Sequence, residues 1–119
     1  MAVFRLENGV SEQAFKEQLQ SSGKLLIVCT ETAVRDGSRL HGLWQFYVHN
    51  EANNRWTPLH MFRLVKGKAQ PRVFKTIDGV FGYMLELGLT VAPVPMKKGD
   101  GCEVEASGTP TYHPDVSLD

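Results

Sequence analysis

The sequence predicts an α+β fold: a mainly antiparallel sheet of about four or five strands with two helices packed on one face. Two helix starts carry capping residues, Ser11 and Thr76, and between them lie short apolar or aromatic runs separated by turn-forming residues. At 119 residues the chain has room for one hydrophobic core.

The first helix is predicted over residues 11–22. Ser11 caps the free amides of its first turn, Glu12 sits at the positive end of the dipole, and Val10 and Phe15 occupy staple positions. Gly23 supplies a left-handed stop. Leu25-Leu26-Ile27-Val28-Cys29 is too short for a helix and reads as a central strand buried on both faces. After the turn signal Asp36-Gly37-Ser38, residues 43–49 are rich in aromatic and β-branched types, with Trp44, Phe46 and Val48 on one face. The polar run 50–54 then turns the chain into a hairpin partner. Pro58 cannot donate to a ladder, so this partner is expected to be regular only over 59–66, and a shorter strand follows over 72–75. Thr76 caps the second helix, with Asp78 in its first turn and Gly88 at its end. Ile77, Val80, Phe81, Met84, Leu85 and Leu87 form its apolar side. Residues 89–96 read as an edge strand, since they hold Pro93 and Pro95, and residues 3–6 as a further short strand.

From Lys97 onward the chain carries glycines, prolines and five acids against Lys97 and Lys98. Its scattered apolar residues do not repay ordering entropy on their own, so the expected organisation is one domain over residues 1–96 followed by a flexible acidic tail over 97–119.

The 13 basic and 13 acidic residues cancel, and bulk charge points to neither nucleic acid nor an anionic membrane. The longest apolar run, Leu25 to Cys29, is far too short to span a bilayer, and Met1 to Arg5 lack the pattern of a signal peptide, so a cytoplasmic protein with no membrane partner is expected. Two cysteines, Cys29 and Cys102, do not make a disulfide framework.

The main local anomaly in charge lies between Glu51 and Asp78, where Arg55, Arg63, Lys66, Lys68, Arg72 and Lys75 occur with no acid among them. Converging on one surface, they would neutralise the phosphates of DNA or RNA, with Trp56, Phe62 and Phe74 as stacking candidates if these faced outward. The plainer account is a solvated charged face over core aromatics. The acidic segment 97–119 carries the complementary charge and would either fold back over this stretch or serve as a solubilising extension.

A second candidate surface is the face of the second helix bearing Gly79, Gly82 and Tyr83. Interior glycines are unfavourable in helices, which suggests close backbone approach, either to the sheet beneath or to a protein partner outside. Gly79-Val80-Phe81-Gly82 also matches the form of a loop that clamps nucleic-acid backbone, but its centre is apolar and helical in pattern.

The histidines His41, His49, His60 and His113 are scattered without paired cysteines, so no metal site is expected; on one strand His41 and His49 would lie about 27 Å apart. Cys29 formally permits a thiol nucleophile, although its apolar neighbours favour an inert core residue. No phosphate-cradling loop or nucleophile elbow is present, and neither an enzyme nor a cofactor is expected.

Residues 72–78, Arg-Val-Phe-Lys-Thr-Ile-Asp, followed by Met-Leu-Glu-Leu-Gly-Leu over 84–89, resemble a short module of small accessory proteins of plasmids and integrative mobile elements. That family shares a basic-aromatic strand, a Lys-Ser/Thr-Leu/Ile-Asp helix start and a Leu-Gly helix end; glycines at 79 and 82 depart from it. The resemblance implies a non-enzymatic accessory protein. Two functions remain in play: nucleic-acid binding through the basic stretch, or inhibition or adaptation of a protein partner, such as a host defence complex, through the acidic segment or the second helix.

Overall fold

The computed structural model describes residues 2–61, 66–68, 70–105 and 109–119. In chain order its elements are β1 (Ala2–Phe4), α1 (Glu12–Ser22), β2 (Lys24–Asp36), β3 (Arg39–Asn50), β4 (Arg55–Pro58), β5 (Phe74–Thr76), α2 (Ile77–Glu86), β6 (Gly101–Glu105), β7 (Pro110–His113) and β8 (Val116–Leu118). The fold is α+β. A six-stranded antiparallel sheet runs β4-β3-β2-β6-β7, with β5 also paired to β3, and β1 and β8 form a separate parallel pair.

The continuous apolar run of β2 is explained by its two faces. Leu25, Ile27 and Cys29 oppose Val48, Phe46 and Trp44 of β3 and join one core cluster with Phe15 of α1 and Val80, Tyr83 and Met84 of α2. Leu26 and Val28 point the other way, into a smaller cluster with Phe4, Tyr47 and Trp56. Both sides of the strand are therefore covered over residues 25–29, and alternation with polar residues is suppressed there.

The first helix starts and stops as its residues dictate. Ser11 Oγ accepts from the Ala14 N–H at 3.4 Å, and Gly23, at φ 69°, donates its N–H to the Leu19 carbonyl. Buried Thr57 is satisfied by this helix and by the loop before it: its Oγ1 accepts from Gln18 Nε2 at 2.8 Å and donates to Glu7 Oε1 at 2.5 Å. Asn50 and Asn53 also donate to the Glu7 carboxylate. These bonds, led by that from Thr57, hold the Glu7 carboxyl below its ordinary range.

Several strands differ from expectation. The returning hairpin strand already pairs over Arg55–Pro58, ahead of the expected start at residue 59, and Pro58 pairs with Tyr47. Pro58 fits an edge strand, since its carbonyl still accepts, here from the Val10 N–H. Of the expected strand, Phe62, Arg63, Leu64 and Val65 lie outside the described residues. Residues 89–96 form no strand; they run irregularly past the end of β2, where the Pro95 carbonyl accepts the buried Trp44 Nε1–H at 2.7 Å and the Met96 carbonyl accepts the Ala33 N–H.

The largest correction concerns residues 97–119. They are not a flexible tail behind a domain ending at residue 96: β6 lies inside the sheet between β2 and β7, with Val104 opposite Leu25 and 1% exposed. The Gly101 backbone approaches so closely that an added Cβ would lie 2.9 Å from Val116 Cγ2. Only Cys102 and Val104 of β6 face the helix-bearing core side, so a polar average composition is compatible with an interior strand. The backbone ladder to β2 supplies the rest, because β2 would otherwise leave unpaired amides beside the core.

Candidate functional site

Helix α2 is set onto the sheet by β5, which precedes it without a loop. Thr76 ends the strand and caps the helix, its Oγ1 accepting the Gly79 N–H at 3.1 Å. Val80, Tyr83 and Met84, spaced three and four apart, all turn inward. Tyr83 is 3% exposed and sits among Phe15, Phe46 and Phe74. Burial pushes its phenol well above the usual range, with the Glu12 charge adding to the effect.

The opposite side of α2 faces water. Phe81 is 44% and Leu85 76% exposed, one turn apart, and Gly82 lies beside them with no atom within 4 Å of the place its Cβ would take. Gly79 is different: a Cβ there would meet Thr76 Oγ1 at 3.2 Å and Phe74 Cδ2 at 3.7 Å, so its smallness serves internal packing. The expected stripe of Gly79, Gly82 and Tyr83 is thus divided. Tyr83 belongs to the core, Gly79 to the helix–strand junction, and Gly82 alone to the outer surface, where its neighbours are Phe81 and Leu85.

Phe81 and Leu85, expected on the apolar side of the helix, face water instead. A helical wheel flags them, since the apolar arc from Tyr83 round to Leu85 covers about 200°, far more than one sheet face conceals. Beside the end of this outer face, a cavity of about 250 Å³ opens between α1 and α2, lined by Lys16, Leu19, Glu86, Leu87, Leu89 and Val104.

The basic stretch is dispersed. Arg55 begins β4 opposite Asn50, whereas Lys75 lies in β5 beyond the Trp44–Phe74 pair, so about seven residues of β3, or about 24 Å, separate them. Arg72 stays at the surface, its side chain 41% exposed, but is engaged within the fold: its guanidinium lies 4.6 Å from the Phe74 ring centroid, and Nη1 is 3.5 Å from Glu12 Oε2. Lys66 and Lys68 are exposed at a turn where Lys66 and Gly67 both have positive φ. Lys75 is also exposed, and Arg63 lies outside the described residues. Trp56 and Phe74 are core residues, 6% and 7% exposed, and present no stacking surface. Phe62 is outside the described residues.

The acidic segment approaches this stretch only in part: β8 packs with Val116 and Leu118 in the cluster that holds Trp56, whereas β6 lies farther off. Strands β2 and β3 stand between β6 and β4, which places these two about 14 Å apart. The acids there are used locally: Asp100 accepts from Tyr112 Oη–H at 2.6 Å, and Glu103 lies 3.5 Å from His113.

Cys29 is fully buried, donates from Sγ to the Glu31 carbonyl, and has its thiol pushed up by burial, which removes the nucleophile reading. Cys102 is buried in the same way. His49 shares a hydrogen bond with Asn54, and the His60 ring packs against the Gly9 backbone. Among the described residues no group of three or more His, Cys, Asp or Glu is placed to hold a metal ion, and no helix is long and apolar enough to cross a membrane. Gly79 to Gly82 lies within α2 and forms no clamping loop.

No protein-family model matches the chain, and neither a curated protein nor a solved structure shows significant similarity to it.

Proposed function

We propose that the chain is a protein-binding adaptor or inhibitor whose docking face is the outer side of α2. The observation that carries this reading is the exposure of Phe81 and Leu85, one turn apart and beside Gly82, on a helix whose other face is already buried. Apolar side chains on a helix one turn apart, with a position lacking a Cβ beside them, suit close approach by a second element. Interior glycine lowers helix stability by about 1 kcal/mol relative to alanine, and nothing within the fold compensates at residue 82. The resemblance of residues 72–89 to accessory proteins of mobile elements fits a non-enzymatic role of this kind. The test is a complex isolated from the native host with the intact chain. Leu85→Glu or Gly82→Leu should abolish it while the thermal melt is preserved; a complex that survives both variants removes this face from consideration.

A second reading, nucleic-acid binding, rests on Lys66, Lys68 and Lys75, which are exposed and form no ion pair among the described residues. It predicts salt-sensitive anisotropy with DNA or RNA that reversal of these three lysines eliminates. Undetectable binding at about 50 mM salt rejects it. Nuclease treatment during the pull-down separates the two readings.

A further inference from the structure

Residues 6–10 run along the outer edge of β4 and carry a bulge. The parallel bridges fall at Leu6–Trp56 and Val10–Leu59, so Glu7, Asn8 and Gly9 stand against only Thr57 and Pro58. Glu7 donates its N–H to the Trp56 carbonyl and Val10 donates its own to that of Pro58, whereas the Asn8 and Gly9 amides have no acceptor among the described residues. Asn8 is exposed, and its carboxamide has no partner there either, unlike those of Asn50 and Asn53, which are tied to Glu7. Residue 9 is held to glycine by packing, because an added Cβ would run into the His60 ring. The same missing side chain leaves its nitrogen unshielded beside the Asn8 carboxamide.

We infer that Asn8 is a site of spontaneous covalent modification, at which the Gly9 nitrogen attacks the Asn8 carboxamide and the residue becomes aspartate or isoaspartate. Asparagine is among the thermolabile residues, and this is the one Asn-Gly step in the sequence. The Gly9 nitrogen gives its proton to a solvent base as it bonds to Asn8 Cγ, and the Cγ–Nδ2 bond breaks, with the departing nitrogen taking up a proton and leaving as ammonia. Water then opens the resulting five-membered imide. Attack at Cγ gives aspartate, and attack at the backbone carbonyl gives isoaspartate, with the chain rerouted through Cγ. Asp36, Asp78 and Asp100 also precede glycine, but each offers a carboxylate, whose charge repels the attacking nitrogen. Two of those nitrogens are also occupied: Gly79 donates to Thr76 Oγ1, and Gly101 lies within the ladders of β6. Conversion places a second carboxylate next to Glu7, and isoaspartate lengthens the backbone between the two points tied to β4. The part of the fold it disturbs is therefore the strap that closes this sheet edge.

The test is incubation of the full chain at mildly alkaline pH, folded and in concentrated urea, followed by peptide mapping and enzymatic methylation of isoaspartate. In the folded chain, residue 8 should appear as aspartate and isoaspartate, about 1 Da heavier than asparagine, and at a rate within about tenfold of that in urea. Asn8→Gln, which would have to close a six-membered ring, should slow conversion at residue 8 at least about tenfold. An Asn8 that stays intact in the folded chain overturns the inference, whether or not it converts in urea. So does modification that falls mainly on Asp36, Asn53 or Asn54, or that proceeds as fast in Asn8→Gln.

Discussion

Residues 97–119 and the outer face of α2 make an instructive pair. The first is acidic and rich in glycine and proline, yet supplies a strand to the middle of the sheet; the second is among the most apolar parts of the chain, yet meets water at Phe81 and Leu85. Composition points the wrong way in both. Burial depends on which residues share a face and which edges need a partner: two inward side chains and a backbone ladder suffice for β6, whereas α2 carries more apolar surface than one sheet face conceals.

Deleting residues 97–119 is the severest way to break this contrast. It removes β6, β7 and β8, exposes the ladder edge of β2 and unpairs β1, so the cooperative thermal transition should disappear. A truncated chain that melts like the full one would mean that the segment is peripheral after all. A narrower comparison sets two neighbours in α2 against each other. Met84→Ala should lower unfolding free energy by about 2–5 kcal/mol in denaturant titrations, and Leu85→Ala by no more than about 0.5 kcal/mol. Equal losses would show that both sides of the helix are covered.

The glycines sharpen the same division. Gly82→Ala should raise stability by about 1 kcal/mol, because its Cβ position is open, while Gly79→Ala should gain less, its Cβ crowding Thr76 Oγ1. Should Gly82→Ala stabilise the fold and weaken a partner complex, the glycine is retained for docking. Comparable in size is the effect of Glu7, which ties the loop before α1 to the β3–β4 hairpin. Its carboxyl titrates below the unfolded value, so its stabilisation is complete above the ordinary carboxylate range and is lost as pH falls through the folded pKa. Glu7→Gln should therefore destabilise by about 1 kcal/mol at neutral pH and flatten the acid limb of the stability profile.

What the sequence determined by itself was local. Ser11 and Thr76 mark helix starts because each hydroxyl answers a free amide three residues on, and Gly23 marks a stop because only a left-handed residue closes that turn. The run Leu25–Cys29 announces a strand covered on both faces. Tertiary structure decided the rest: that Gly101 to Glu105 fills the far side of β2, that Arg72 turns back onto Phe74 and Glu12, that Arg55 and Lys75 lie about seven residues apart along β3, and that Phe81 and Leu85 face outward. These outcomes depend on contacts between residues far apart in the chain. Periodicity measures how much apolar surface a helix carries, but only the packed sheet limits how much of it is hidden.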